Sequence, residues 1–155
     1  MELSDEIRIA ASKAELYAAL TDPEVLKASI PGCEELNKTS DTEMDAVVAL
    51  KVGPVKARFK GAVTLDTSGA PDAMSLTGEG KGGAAGFAKG GADVTLEEDG
   101  AETILRYTAK AEVGGKIAQL GSRLIQGTAK KLSAKFFDNL RQEVEGTNDV
   151  AEESA

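Results

Sequence analysis

Few residues of this chain have the type and spacing that catalysis needs. The sequence contains no histidine, which excludes Cys/His zinc sites and Ser-His-Asp triads. Cys33 is the single cysteine and could act as a nucleophile, but no histidine is present to activate it. We therefore interpret it as a small buried apolar residue. Glu34 and Glu35 follow it directly, and because neighbouring side chains rarely converge on one site, we interpret them as solvated loop acids.

Two further patterns could bind anions. The glycine-rich segment from Gly78 to Gly83 suggests a phosphate loop, but its spacing matches neither a P-loop nor a dinucleotide fingerprint. A flexible strand end or bulge explains it better. The second pattern is two groups of basic residues: Lys51, Lys56, Arg58 and Lys60 on neighbouring predicted strands, and Lys130, Lys131 and Lys135 on a predicted helix. Each group is either a solvated face or a docking surface for an acidic partner or lipid headgroups.

The elements that position these residues follow a simple order. The spacing predicts a first strand from Glu2 to Ala10, two short helices with capping residues Ser12 and Asp22, and then about five or six strands of a meander. The last element is one amphipathic helix from Lys116 to Glu145, about 45 Å long at 1.5 Å per residue. Its apolar and small residues recur at helical spacing: Ile117, Leu120, Gly121, Leu124, Thr128, Leu132, Phe136, Leu140 and Val144. This stripe must be buried, and the strands are the only large partner.

Composition limits the class of protein. A chain of 155 residues is most simply one domain, predicted here as residues 1–146, followed by a disordered acidic tail over residues 147–155. A net charge of −8 argues against nucleic acid as a principal partner. With one cysteine, no signal peptide and no long apolar run, we expect a soluble protein in the cytoplasm. We expect no metal and no resident cofactor.

The inner face of the predicted sheet changes in size along its last hairpin. With a turn at Asp99-Gly100, antiparallel pairing gives four inner pairs: Leu96 with Leu105, Val94 with Tyr107, Ala92 with Ala109, and Gly90 with Ala111. The side chains are large beside the turn and small at the far end. Two interpretations stay open, because small residues leave either an apolar pocket or a close approach of helix and sheet. The chain has no Trp and four Phe to fill the space.

An apolar cavity between sheet and helix is thus the candidate site. We expect packing to be dense near Leu132 and Phe136 and to thin towards the start of the helix, where the cavity would open. The candidate lining residues are Phe59, Gly80, Ala88, Gly90, Ala92, Tyr107, Ala109, Ala111, Ile117, Leu120, Gly121 and Leu124.

Three segments carry a resemblance to a known family. Asp22–Cys33 (DPEVLKASIPGC), Gly53–Gly61 (GPVKARFKG) and Ala118–Leu132 (AQLGSRLIQGTAKKL) resemble the CoxG family, named for the CoxG subunit of carbon monoxide dehydrogenase. The resemblance covers about residues 1–146. It implies an α+β helix-grip fold of the START-like (SRPBCC) superfamily, in which a curved antiparallel sheet wraps around a long C-terminal helix and encloses an apolar cavity.

The resemblance also implies a function. Members accompany molybdenum hydroxylases of the carbon monoxide dehydrogenase type, and are implicated in membrane recruitment of these enzymes and in handling respiratory quinone. We therefore expect a non-enzymatic protein that binds a quinone or other lipid, with peripheral membrane contact at the inner face of the cell membrane. One alternative is an adaptor for the hydroxylase in which the cavity is incidental. Another is a START-like cyclase or hydrolase, for which Tyr107 is the only inward polar candidate.

Overall fold

The computed structural model describes the backbone of residues 1–154 and the side chains of residues 1–146. The strands are β1 (Glu2–Ile9), β2 (Cys33–Lys38), β3 (Glu43–Val52), β4 (Val55–Asp66), β5 (Ala73–Lys81), β6 (Phe87–Asp99) and β7 (Glu102–Gly114). The helices are α1 (Lys13–Leu20), α2 (Pro23–Ser29) and α3 (Ser122–Ser154), with 3₁₀ turns at Gly83–Ala85 and Lys116–Leu120. The disordered tail predicted for residues 147–155 lies outside the side chains described, and it stays a prediction.

The seven strands form one antiparallel sheet in the order β1-β7-β6-β5-β4-β3-β2. Strands β2 to β7 are a meander, whereas β1 pairs with β7 at the far edge. The chain therefore crosses from one edge of the sheet to the other through α1 and α2. The sheet is curved and open, and α3 packs against α2, β1 and β3. The predicted α+β architecture, a curved antiparallel sheet with a long C-terminal helix, is confirmed.

Local signals account for the first helices and the last hairpin. The Ser12 side chain accepts a hydrogen bond from the backbone N–H of Glu15, and that of Asp22 accepts one from Glu24. All four predicted inner pairs of the last hairpin are in register: Leu96 with Leu105, Val94 with Tyr107, Ala92 with Ala109, and Gly90 with Ala111.

Glu34 and Glu35 lie in strand β2, so the prediction that they lie in a loop is wrong. Glu34 accepts hydrogen bonds from Nε of Arg58 at 2.7 Å and from Nη2 at 3.1 Å, so it joins β2 to β4 across the outer face. The register of β2 slips between Cys33 and Glu35. Because of this irregularity, apolar and polar residues do not alternate along β2 in the sequence. The strand is a short edge strand in which Leu36 is the only buried residue.

The long helix begins later than its periodicity predicts. Residues from Lys116 to Leu120 form a 3₁₀ turn, Gly121 takes a φ of +93°, and α3 starts at Ser122. A positive φ is incompatible with an α-helix, so the predicted helix from Lys116 to Glu145 is wrong over its first six residues. The break lets Ile117 turn towards the sheet, where only 3% of it is exposed.

Two apolar clusters result from this arrangement. The main core lies between the sheet and the C-terminal half of α3, where Leu140 and Val144 are buried. The second cluster fills the other end of the sheet, around Phe59, Ala85 and Ile117. The C-terminal half of α3 is also held by hydrogen bonds, from Asn139 to the Ser29 carbonyl, from Arg141 to the Arg8 carbonyl, and from the Ala10 amide to Glu145.

Candidate functional site

An apolar pocket of about 360 Å³ lies under α3, and most of the residues that line it belong to the main core cluster. Sheet residues that line it are Leu36, Met44, Val48, Leu50, Val63, Leu65, Met74, Leu76, Ala92, Val94, Tyr107 and Ala109. Helices and their flanking turns add Leu20, Leu26, Ile30, Pro31, Leu132, Ser133, Phe136 and Phe137. Its size and its mostly apolar wall are typical of pockets that hold small ligands.

The fold creates this space at particular residues. Ala92 and Ala109 face each other on β6 and β7, and each presents a single methyl group beside the larger pair Val94 and Tyr107. Pro31 follows the end of α2, and Leu26, Ile30 and Pro31 together line the pocket. The sheet and the two helices enclose space there because α3 packs on α2 and on the strands β1 and β3, which lie towards the two ends of the sheet.

Tyr107 is the best-placed polar group of the pocket. It is 8% exposed, and its ring stacks on Phe137 with centroids 4.6 Å apart. Desolvation raises the pKa of Tyr107, and the nearby carboxylate of Asp5 adds to this shift. Ser133 lies beside it and acts in the opposite direction, by hydrogen bonding to the ionised form. Tyr107 is therefore a neutral hydroxyl at physiological pH.

Three of the twelve predicted cavity residues line this pocket: Ala92, Tyr107 and Ala109. Phe59, Ile117 and Leu120 instead pack together in the second cluster. Gly90 and Ala111 border a groove of about 840 Å³ on the outer face of the sheet. Of the remaining four, Gly80 and Ala88 pair between β5 and β6, Gly121 forms the break before α3, and Leu124 is 40% exposed.

The pocket lies further along α3 than the size gradient of the hairpin suggests. The sequence predicts dense packing at Leu132 and Phe136, yet both of these residues line the pocket. It predicts space at the helix start, where Ile117 is in fact buried against Phe59. The reason is that the prediction assumes a single straight helix, whereas the turn before Gly121 folds the chain onto this end of the sheet.

The small residues of the sheet have a second explanation. A Cβ atom on Gly90 would lie 2.3 Å from the carbonyl oxygen of Lys110, and one on Gly61 would lie 2.3 Å from that of Glu79. Glycine is required at both positions because neighbouring strands approach too closely for a side chain. These glycines therefore shape the sheet.

Sequence reasoning missed the wall formed by α2 and the middle of α3. Leu26, Ile30 and Pro31 carry no signal for a pocket, since helix and turn residues of this kind are equally common in an ordinary core. Phe136 and Phe137 were the stronger clue, because two adjacent aromatic residues cannot both fit one narrow helical stripe.

The pocket wall carries few polar groups. Among the side chains of residues 1–146, those of Tyr107 and Ser133 are the only polar ones in this wall, and no carboxylate, amine or thiol of this part of the chain lines it. Cys33 is half-buried, and desolvation raises the pKa of its thiol, which disfavours the nucleophilic thiolate. Within residues 1–146, no group of three or more His, Cys, Asp or Glu side chains could hold a metal ion.

Among the described parts of the chain, no helix is both long enough and apolar enough to cross a bilayer.

Comparison with known proteins decides the family. Residues 6–145 match the family model of the CoxG subunit of carbon monoxide dehydrogenase. The chain belongs to the CoxG family. A search of curated proteins gave no match to this CoxG-family chain.

Solved structures share the fold of this CoxG-family protein. A conserved protein from Geobacillus kaustophilus is 28% identical with a TM-score of 0.88, and the match covers 95% of this chain and 97% of that one. A START superfamily protein from Mycobacterium smegmatis has a TM-score of 0.71 at 13% identity, over 94% and 98% of the two chains. The Zhui aromatase/cyclase from a Streptomyces species has a TM-score of 0.70 at 11% identity, over 94% and 93%. The fold is thus the START-like helix grip.

Proposed function

We propose that this protein binds an apolar ligand, a respiratory quinone or another lipid, in the pocket under α3, and that it does so without catalysing a reaction. The observation that carries the proposal is a pocket of about 360 Å³ with a wall of aliphatic and aromatic side chains. Membership of a family named for a component of carbon monoxide dehydrogenase supports a role as accessory protein to a molybdenum hydroxylase of that type. The ligand would then carry electrons for the enzyme.

Simple energetics supports useful affinity. A ligand that buries about 300 Å² of apolar surface gains about 7 kcal/mol at 25 cal/mol per Å². A gain of about 7 kcal/mol corresponds to a dissociation constant of about 7 μM, and part of it is lost to the entropy of association, so we expect a dissociation constant of tens of micromolar or weaker. A volume near 360 Å³ accommodates a ring system with a short tail, or one segment of a longer chain.

Filling the pocket tests the proposal directly. Ala109→Phe adds a ring where Ala109 and Ala92 leave the space, and it should abolish the thermal shift that a benzoquinone with a ten-carbon tail gives to the wild type. Ala62→Phe is the matched control, since Ala62 is exposed and borders the groove on the outer face. Equal binding by both variants, or the absence of any binding to the wild type, would contradict the proposal.

A second proposal concerns the surface around the second cluster. Residues 46–65, 80–92 and 113–137 contain no acid, in a chain with twenty-six acids. The basic residues in these segments are Lys51, Lys56, Arg58, Lys60, Lys81, Lys89, Lys116, Arg123, Lys130, Lys131 and Lys135. One residue of each segment, Phe59, Ala85 and Ile117, is buried in the second cluster. Phe87 and Leu124, from two of the segments, are 39% and 40% exposed. Two of the basic residues pair with acids outside the segments, Arg58 with Glu34 and Lys89 with Glu112.

We propose that this basic end contacts an anionic membrane surface from the cytoplasmic side. Basic side chains beside exposed apolar ones fit a lipid headgroup layer, and each Lys near such a surface contributes about 1 kcal/mol. Lys51→Glu with Lys56→Glu should abolish sedimentation with vesicles that contain a quarter phosphatidylserine, while Lys38→Glu with Lys110→Glu should not. The proposal would be contradicted if the variant with Lys51→Glu and Lys56→Glu still sedimented with these vesicles. It would also be contradicted if the wild type bound neutral vesicles as strongly as anionic ones.

The same variants separate the membrane from a protein partner. If the Lys51→Glu and Lys56→Glu variant still sediments with vesicles but no longer co-purifies with the hydroxylase, then this end docks the enzyme instead. Ligand binding should be unchanged in either case, because neither lysine lines the pocket.

A further inference from the structure

The polar groups of the pocket are confined to one place. Of the twenty side chains that line it, only Tyr107 and Ser133 carry a polar atom, and the two lie together where β7 faces α3. Leu26, Ile30 and Pro31, from α2 and the turn that follows it, line the pocket without a polar side-chain atom. An amphiphilic ligand in this pocket therefore has one place for its polar head, and its tail contacts the apolar remainder of the wall.

Charged groups are close to this place but lie outside the pocket. A groove of about 440 Å³ between β1 and α3 contains Asp5, Lys130, Asp138 and Arg141. Tyr107 and Phe137 line both spaces, and their stacked rings separate the charged groove from the apolar pocket. Among the described side chains, those that line the pocket thus include two hydroxyl groups and no cation.

We infer that Tyr107 and Ser133 form a polar anchor which selects ligands with a neutral hydrogen-bonding head group over ligands with an anionic one. This inference rests on the proposed function, since it names the class of ligand that the pocket takes. A carbonyl or hydroxyl head can accept a hydrogen bond from the two hydroxyls. A carboxylate would be buried there without a counter-ion, which is costly in an apolar environment.

The environment of Tyr107 supports this selection. Desolvation and the Asp5 carboxylate raise its pKa, so the ring keeps its proton and remains a donor. The same carboxylate repels an anionic head. Lys130 and Arg141 could attract such a head only if the ring pair moved, because both lie on the far side of it.

Three ligands with the same chain length test the inference: oleyl alcohol, oleate and octadecene, each competing for a bound solvatochromic dye at pH 8. The wild type should bind the alcohol most tightly and oleate at least tenfold more weakly. Tyr107→Phe and Ser133→Ala should each lower the affinity for the alcohol about three- to tenfold, which corresponds to the loss of one neutral hydrogen bond. Octadecene should be unaffected by either substitution.

Tyr17→Phe is the matched control for loss of a hydroxyl. The Tyr17 hydroxyl donates to the carbonyl of Ala73 and does not line the pocket, so this variant should retain the wild-type order of affinities. The polar anchor would be contradicted if the three ligands bound with equal affinity. It would also be contradicted if Tyr107→Phe and Ser133→Ala left the ratio of the affinities for the alcohol and octadecene unchanged. In both cases the proposal that the pocket binds apolar ligands would still hold. If none of the three ligands displaces the dye, both the proposed binding of an apolar ligand and the polar anchor are contradicted.

Discussion

Gly61 on β4 lies so close to β5 that a Cβ atom on it would be 2.3 Å from the carbonyl oxygen of Glu79. The pairing residue on β5 is Gly80, so two glycines meet where the backbones approach. Real Cβ atoms do not tolerate a backbone oxygen at such a distance. The close approach of β4 and β5 at this point therefore requires glycine at position 61.

Gly61→Ala should destabilise the protein by about 1–3 kcal/mol, because the strands must separate to admit the methyl group. Equilibrium unfolding in urea would measure the change. Gly127→Ala is the control within the same chain: Gly127 lies in α3 with nothing within 4 Å of its Cβ position. That substitution should stabilise the protein by about 0.5–1 kcal/mol, since alanine favours the helix. A neutral Gly61→Ala would contradict the close approach.

Asn139 should be important for the position of α3. Its side-chain amide Nδ2 donates a 3.0 Å hydrogen bond to the carbonyl of Ser29, which is fully buried at the end of α2. Asn139→Ala removes the donor and leaves the carbonyl unpaired, so the free energy of unfolding should fall by about 1–3 kcal/mol. Gln142→Ala removes an exposed hydrogen bond to Asp138 on the same helix and should change it by less than about 0.5 kcal/mol. If both substitutions lowered the free energy of unfolding equally, the hydrogen bond of Asn139 would be no more important for stability than the exposed one of Gln142.

The features that the sequence predicted correctly are those that depend on short-range patterns of residues. The register between Val94 and Tyr107 follows from two alternating strands and a tight turn at Gly100, and all of these are short-range signals. Strand β2 was missed because its alternation is broken between Cys33 and Glu35.

The pocket was only partly predictable. Ala92 and Ala109 were found because they face inward on strands whose register follows from the turn between them. The α2 wall depends on how a helix far away in the sequence packs, which no local pattern encodes. The helix start was placed too early because periodicity in the residues before Ser122 continues through a glycine that breaks the helix.

Cys33 should react slowly with alkylating reagents. Desolvation raises the pKa of its thiol, while Lys27 and a hydrogen bond from the thiol to the Glu35 carbonyl only partly oppose the shift. Because the thiolate is the reactive form, the rate of iodoacetamide modification should rise with pH to a midpoint above that of a free cysteine, about 8.5. Mass spectrometry over a pH series measures this. The chain in denaturant is the control, and a native midpoint at or below the denatured one would contradict the burial of Cys33.

Gly121 separates the 3₁₀ turn from α3, and its φ of +93° is a conformation that other residues rarely adopt. Gly121→Ala should therefore cost about 1–2 kcal/mol through backbone strain alone, because its Cβ position has nothing within 4 Å. If the substitution instead straightened the chain into the continuous helix that periodicity predicts, Ile117 would leave its buried position beside Phe59. Circular dichroism distinguishes the two outcomes, since strain leaves helix content unchanged whereas straightening increases it. We expect lower stability with unchanged helix content, and a stable protein with more helix would show that the break is not required by the fold.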